Sequence, residues 1–196
     1  MKFKGSRKIE TERLLLMPQT IKEQKRLWEI LMIDDVKKYY LTVPIKFKNK
    51  LIDWNLQEKY YKTKIEHAND KDVFCWSIFL KDTDKCVGQI DCHMNVDNQS
   101  SIDVYDVGWY IDPLYQGMGY CTEAARAMLY YMFIECDIKK IITSAAICNS
   151  SSWKVMEKLG FIREKKTRKV QYTFLDELTE VYIYTIDKEK FLSFNF

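Results

Sequence analysis

Two glycines set between an extended segment and an amphipathic one constrain this chain more than any other feature. The stretch Gln116-Gly117-Met118-Gly119-Tyr120-Cys121-Thr122-Glu123-Ala124 follows a run of strand character at 102–111. It precedes Ala125, Leu129, Met132, Phe133 and Cys136, which recur at helical spacing. A strand that turns through glycines into a helix leaves the N–H groups of the first helical turn unpaired, with the helix dipole behind them. That arrangement suits an anion. Two glycines in a loop also serve ordinary turns, so the neighbouring segments decide between the readings.

The rest of the chain reads as alternating strands and helices. Residues 13–18 predict a strand and 21–33 a helix with Leu27, Ile30 and Leu31 on one face. After the break at Val43-Pro44, Leu51, Trp54, Glu58, Tyr61 and Ile65 continue at helical spacing. Residues 74–81 and 86–94 predict strands joined by the polar turn Asp82-Thr83-Asp84-Lys85. A polar loop at 95–100 leads to the strand at 102–111. Beyond the glycine loop a helix is expected to about Cys136, then a strand at 140–146, a helix at 151–159 and a final strand pair at 168–174 and 181–186. This order predicts an α/β fold with a mixed central sheet flanked by helices, in one domain.

Composition narrows the function. Lys and Arg number 31 against 28 Asp and Glu, a balance that argues for neither nucleic acid nor membrane partners. The basic run from Arg163 to Lys169 reads as the solvated face of a strand. No apolar run approaches the ~20 residues of a bilayer span and no signal-peptide core follows Met1, so a soluble cytoplasmic protein is expected. Six cysteines without a C-x-x-C pair, and only His67 and His93, indicate neither a disulfide framework nor a metal site. The absence of G-x-x-x-x-G-K-[ST] and G-x-G-x-x-G argues against a mononucleotide binder of those kinds.

Three blocks carry a resemblance: Asp106-Val107-Gly108-Trp109-Tyr110-Ile111-Asp112-Pro113, the glycine loop, and Asn149-Ser150-Ser151-Ser152 leading into Glu157-Lys158-Leu159-Gly160-Phe161. Together they resemble the GNAT superfamily of N-acetyltransferases, and within it the ribosomal-protein branch. That branch also opens as Glu10-Thr11-Glu12-Arg13-Leu14-Leu15-Leu16 does, and carries counterparts of Trp76-Ser77-Ile78 and Val87-Gly88-Gln89-Ile90. The resemblance implies a single N-acetyltransferase domain over 1–196. It implies acetyl transfer from acetyl-coenzyme A (acetyl-CoA) to a primary amine, on a peptide N-terminus or a small molecule, in a ternary complex without metal. A monomer or homodimer is expected. A non-catalytic acyl-coenzyme A sensor of the same fold is the alternative.

The resemblance also assigns candidate residues. The pyrophosphate would lie on Gly117, Met118, Gly119, Tyr120 and Cys121, with Gln116 and Thr122 beside them and Arg126 one turn on. A backbone N–H near Tyr110 or Ile111 would meet the oxyanion, and Asn149 would contact the coenzyme amide. Gly108 suits a strand that bulges or is closely approached. A primary amine has a pKa near ~10.4 and arrives charged, so a carboxylate must take its proton. Asp106 is the leading candidate, ahead of Asp103, Asp91 and Glu177. Many relatives protonate the leaving thiolate with a tyrosine where this chain has Met156. The ribosomal-protein branch uses a serine at the position of Ser152, which helix capping would equally explain. Cys121 stands where glycine or alanine is usual, as either a reactive cradle thiol or an inert filler. Of the aromatic residues Tyr39, Tyr40, Phe47, Trp54, Tyr60 and Tyr61, any is a candidate for the wall of the acceptor site.

Overall fold

The computed structural model describes residues 5–66, 73–94 and 104–194. A short strand β1 (Ile9–Glu10) and β2 (Leu14–Pro18) precede helix α1 (Ile21–Leu31), then the short helices α2 (Asp34–Lys37) and α3 (Lys48–Leu51), and α4 (Trp54–Glu66). Strands β3 (Val73–Leu80), β4 (Cys86–Met94) and β5 (Val104–Ile111) follow. Next come α5 (Tyr120–Tyr130), a π-helical turn at Tyr131–Glu135, β6 (Lys140–Ala146), α6 (Ser150–Lys158), β7 (Ile162–Val170), β8 (Thr179–Asp187) and α7 (Lys188–Ser193). The strands form one mixed sheet in the order β1-β2-β3-β4-β5-β6-β8-β7, parallel at β5–β6 and antiparallel at every other pair.

Alternation explains how the sheet is buried. Phe74, Trp76, Ile78 and Leu80 of β3 lie under α5, where Ala124, Ala125, Met128 and Leu129 close the core. The predicted apolar face continues through the π turn, with Met132, Phe133 and Cys136 all fully buried. The opposite face meets α1, whose start is fixed by a capping box between Thr20 and Glu23. The Ser77 hydroxyl donates to the same Glu23 carboxylate at 3.0 Å, so the cap also ties α1 to the sheet.

Most predicted elements recur within a residue or two, and the exceptions have physical causes. The helical run from Leu51 to Ile65 is divided, α3 ending at Leu51 and α4 starting at Trp54. The strand expected at 168–174 instead spans Ile162–Val170, and Gln171–Leu178 form the turn into β8. As the sheet edge, β7 is exposed on both faces and bulges between Arg163 and Thr167, so it shows no inside–outside alternation. Helix α7, absent from the sequence reading, is capped by Asp187 and anchored by buried Phe191. Asp103, His67 and the loop at 95–100 lie outside the described residues.

Candidate active site

The site is built where the sheet opens. Among the described residues, strands β5 and β6 pair at Val104–Lys140 and Tyr105–Ile141 and then diverge. The Thr143 hydroxyl bridges the start of the gap, donating to the Val107 carbonyl at 2.9 Å. Beyond it lies a cleft of about 580 Å3. The Asp112 N–H donates to Val87 O at 2.8 Å. By alternation, the peptide groups of Gly108 and Tyr110 therefore face β4, whereas those of Val107, Trp109 and Ile111 face the gap. The Gln116 side chain donates to Ile111 O at 2.9 Å, closing the open end. The Tyr110 side chain lies on the other side of the strand, its hydroxyl 3.3 Å from Leu27 O and 3.2 Å from the Gln89 side-chain oxygen.

The glycine loop ends at the mouth of this gap. Asp112 accepts from the Leu114 N–H at 2.9 Å and pairs with Arg26, fixing the turn that follows β5. Gly117 and Gly119 have φ of 76° and 82°, left-handed values that glycine alone adopts without strain. Gly119 caps α5 without any side-chain hydrogen bond, leaving the first-turn N–H groups to the cleft side. Helix dipole, open N–H groups and lack of a capping side chain fit a phosphate. Gln116, Gly117, Gly119, Tyr120, Cys121 and Thr122 line the cleft, whereas the Met118 side chain points outward, 51% exposed. Arg126 is exposed one turn along α5. Cys121 packs against the core, and burial pushes its thiol up to about 12, which matches the filler reading.

The opposite wall comes from α6. Asn149 precedes the helix, and its side-chain oxygen accepts from Ser151 at 2.8 Å. Ser152 lines the cleft and does not cap α6; its N–H donates to Asn149 O at 3.2 Å. Met156 is 2% exposed, with its side chain in the main core cluster at the edge of the cleft.

The third wall is acidic and aromatic. In the β4–β5 register Asp91 faces Gly108 and His93 faces Asp106, on the face that carries Gln89 and Tyr110. A β-carbon on Gly108 would lie 2.7 Å from Asp91 Oδ1 and 3.4 Å from the Tyr40 ring. Gly108 thus makes room for these side chains; the ladder passes through it without a bulge. The Tyr40 hydroxyl lies 3.3 Å from both Asp91 oxygens and accepts from Gln89 at 3.1 Å. Burial raises the pKa of both Asp91 and Asp106, against the opposing pull of His93, which also lines the cleft. Glu177 is exposed on the β7–β8 turn, outside the cleft.

A bridge roofs the acidic end. The Thr173 N–H and hydroxyl donate to Leu41 O at 2.9 Å and Val43 O at 2.6 Å, and the Tyr39 and Tyr172 rings meet edge-on at 5.9 Å. Of the aromatic candidates, Tyr39 and Tyr40 line the cleft; Phe47, Trp54, Tyr60 and Tyr61 do not. Thr143 and Tyr172 were not anticipated. A threonine in a buried strand carries no signal of its own, and Tyr172 reaches the cleft through a turn read as strand. Among the described residues no cluster of three or more His, Cys, Asp or Glu is placed to hold a metal, and no helix is long and apolar enough to cross a membrane.

The family model for the acetyltransferase (GNAT) domain matches residues 13–162, which spans the splayed strands, the cradle and α6. The chain belongs to the GNAT acetyltransferase family. It is similar to an uncharacterized N-acetyltransferase, YnaD, of Bacillus subtilis, 29% identical over 80% of this chain and 83% of the relative. A GNAT-family acetyltransferase from Bacillus anthracis superposes with a TM-score of 0.74 at 27% identity, covering 93% of this chain and 99% of that one. The ribosomal L7/L12 alpha-N-protein acetyltransferase RimL, solved with coenzyme A, shares the fold at a TM-score of 0.74 and 16% identity, covering 92% of this chain and 98% of that one. The GNAT family uses acetyl-CoA, and this chain is an acetyl-CoA-dependent acyltransferase.

Proposed function

We propose that this enzyme moves the acetyl group of acetyl-CoA to a primary amine by direct transfer in a ternary complex. The observation that carries the reading is the convergence on one cleft of an uncapped helix N-terminus, a gap lined by strand peptide groups, and a pair of half-buried carboxylates. The cradle from Gln116 to Thr122 would hold the pyrophosphate. The gap-facing peptide groups of Trp109 and Ile111 would pair with the pantetheine arm as an added strand does, and one N–H would meet the thioester oxygen. Asn149 would take the pantetheine amide.

Asp106, with Asp91 beside it, would accept the proton that the ammonium must shed. The raised pKa values suit this task, because a base works best when its pKa lies nearer the operating pH. The amine nitrogen then bonds to the thioester carbon, the carbon–sulfur bond breaks, Ser152 gives its proton to the departing thiolate, and the second proton, shed by the nitrogen as it becomes an amide, returns the Ser152 hydroxyl to its starting state. The roof formed by Leu41, Val43 and Thr173 favours a slender acceptor, a small amine or the end of a peptide, over a side chain on a folded surface.

A thiol-release assay with acetyl-CoA, run across small amines and N-terminal peptides, tests the reading. Release of coenzyme A with at least one acceptor, and a product gaining one acetyl group, is expected. Coenzyme binding without transfer to any amine overturns it in favour of an acyl-coenzyme A sensor.

A further inference from the structure

The opening motif containing Thr11 and Arg13 lies far from the cradle in sequence and converges on it in space. The Thr11 hydroxyl donates to Glu123 Oε1 at 2.6 Å, the Arg13 N–H to the same oxygen at 2.9 Å, and Arg13 Nε to Glu123 Oε2 at 2.7 Å. The other arm of the guanidinium donates to Met118 O at 2.9 Å, within the glycine loop, and its plane lies over the Tyr120 ring, 4.7 Å from the centroid. A β-carbon on Gly119 would sit 3.3 Å from the same guanidinium. One side chain therefore touches the loop before α5, the first residue of α5 and the carboxylate in its first turn.

Glu123 presents a problem for an anion site. A carboxylate in the first turn of a helix competes for the field that a phosphate would use, and two anions at one helix end repel. Partial burial opposes ionisation of Glu123, but the hydrogen bonds from Thr11 and Arg13 outweigh it and hold the group charged. The Arg13 and Glu123 side chains are 44% and 18% exposed, and a pair this accessible adds little to stability. Its location at the cradle is the more informative fact.

We propose that Arg13 is a positioning residue for the coenzyme: it cancels the Glu123 charge and pins the Met118 carbonyl, so that the N–H groups from Gly119 to Thr122 stay aimed at a pyrophosphate. The inference rests on the coenzyme reading of the cradle. It adds a role for a residue outside the loop, joined to it through the β1–β2 hairpin.

The test uses the full chain and isothermal titration with coenzyme A, alongside melting temperature and steady-state kinetics. Arg13→Gln is expected to weaken coenzyme A binding roughly tenfold, raise the KM for acetyl-CoA in step, and change kcat far less. Adding Glu123→Gln to Arg13→Gln restores most of the affinity, because the uncancelled charge is gone. Arg13→Lys falls between, since an ammonium cannot serve both the carboxylate and the loop carbonyl in fork geometry. Glu123→Gln alone binds more tightly and with a steeper salt dependence. Unchanged affinity in Arg13→Gln, or a double variant no better than the single, overturns the proposal. If Arg13→Gln does not fold, weaker binding in Glu123→Gln does the same. A parent protein that ignores coenzyme A sinks the coenzyme reading and the inference together; a binding parent with indifferent variants sinks the inference alone.

Discussion

Replacing Thr143 by valine removes the hydroxyl that bridges the start of the gap while keeping the side chain's shape. The Thr143 hydroxyl donates to Val107 O at 2.9 Å, and both residues are buried. Leaving a buried carbonyl unpaired costs about 1–3 kcal/mol, so a loss of about 2 kcal/mol is expected. In a domain of this size each kcal/mol moves the melting temperature by roughly 2–4 °C, which puts Thr143→Val about 4–8 °C below the parent. Thr143→Ser keeps the hydroxyl and sheds one methyl, a loss of about 0.8 kcal/mol and a drop of roughly 2–3 °C. The same hydroxyl hydrogen-bonds the Asp106 carboxylate and pulls its pKa down, against the larger upward push of burial. Without it the pKa rises, a smaller fraction of Asp106 is charged at a given pH, and the acidic limb of the kcat/KM profile moves to higher pH. Thr143→Ser leaves the limb in place. Calorimetry and a pH–rate series on the three proteins provide the measurements. Equal melting temperatures for the serine and valine variants refute the hydrogen-bond argument. A limb that stays put in Thr143→Val removes Asp106 from the role of base.

Ser152→Ala should reduce kcat by ~10²-fold or more with little change in coenzyme A affinity, as measured by steady-state kinetics and titration, because a general acid acts in the transition state; parallel losses would assign Ser152 to positioning. Cys121 should resist alkylation at pH 8 with or without coenzyme A, since burial holds its thiol near about 12, and strong labelling in peptide mapping would contradict this. Burial also raises the pKa of Asp91 above its unfolded value near ~3.9, so the native state is favoured below that value and loses the advantage as pH rises through the folded pKa. Asp91→Asn should therefore raise the melting temperature at pH 7.5 and raise it less at pH 4; equal shifts at both would be inconsistent with a desolvated carboxylate.

The elements legible in the sequence were those with an apolar face packed against the core. Helix α5 and the large apolar side chains of β3 show clear periodicity because they pack against the core, whereas β4 is buried on both faces from Val87 to Ile90 and was legible from its place after the polar turn Asp82-Thr83-Asp84-Lys85. Strand β7 was legible in part: the basic run Arg163 to Lys169, read as a solvated strand face, lies within it, but an edge exposed on both faces has no period to fix its bounds. The cradle was legible because glycine at positive φ is a backbone requirement written directly in residue type. The acidic wall was legible only in part. Asp106 and Asp91 stood out as carboxylates in strands, but Tyr40 binds Asp91 through a fold-dependent contact across 51 positions of chain. Thr143 and Arg13 matter through partners 36 and 110 positions away, which no local pattern encodes.

The splay between β5 and β6 also bears on how long a copy of this enzyme survives in a cell. Past Tyr105 and Ile141 the two halves of the sheet share no ladder, so rungs that another protein makes permanently are supplied here by whatever occupies the gap. An occupant that binds only the folded state adds to its stability in proportion to the logarithm of its concentration. Amide exchange along 106–111 and 142–146, and cutting by proteases that require an open chain, should then slow as acetyl-CoA accumulates. The amount of active enzyme would follow the supply of its own acetyl donor, with no dedicated regulatory site.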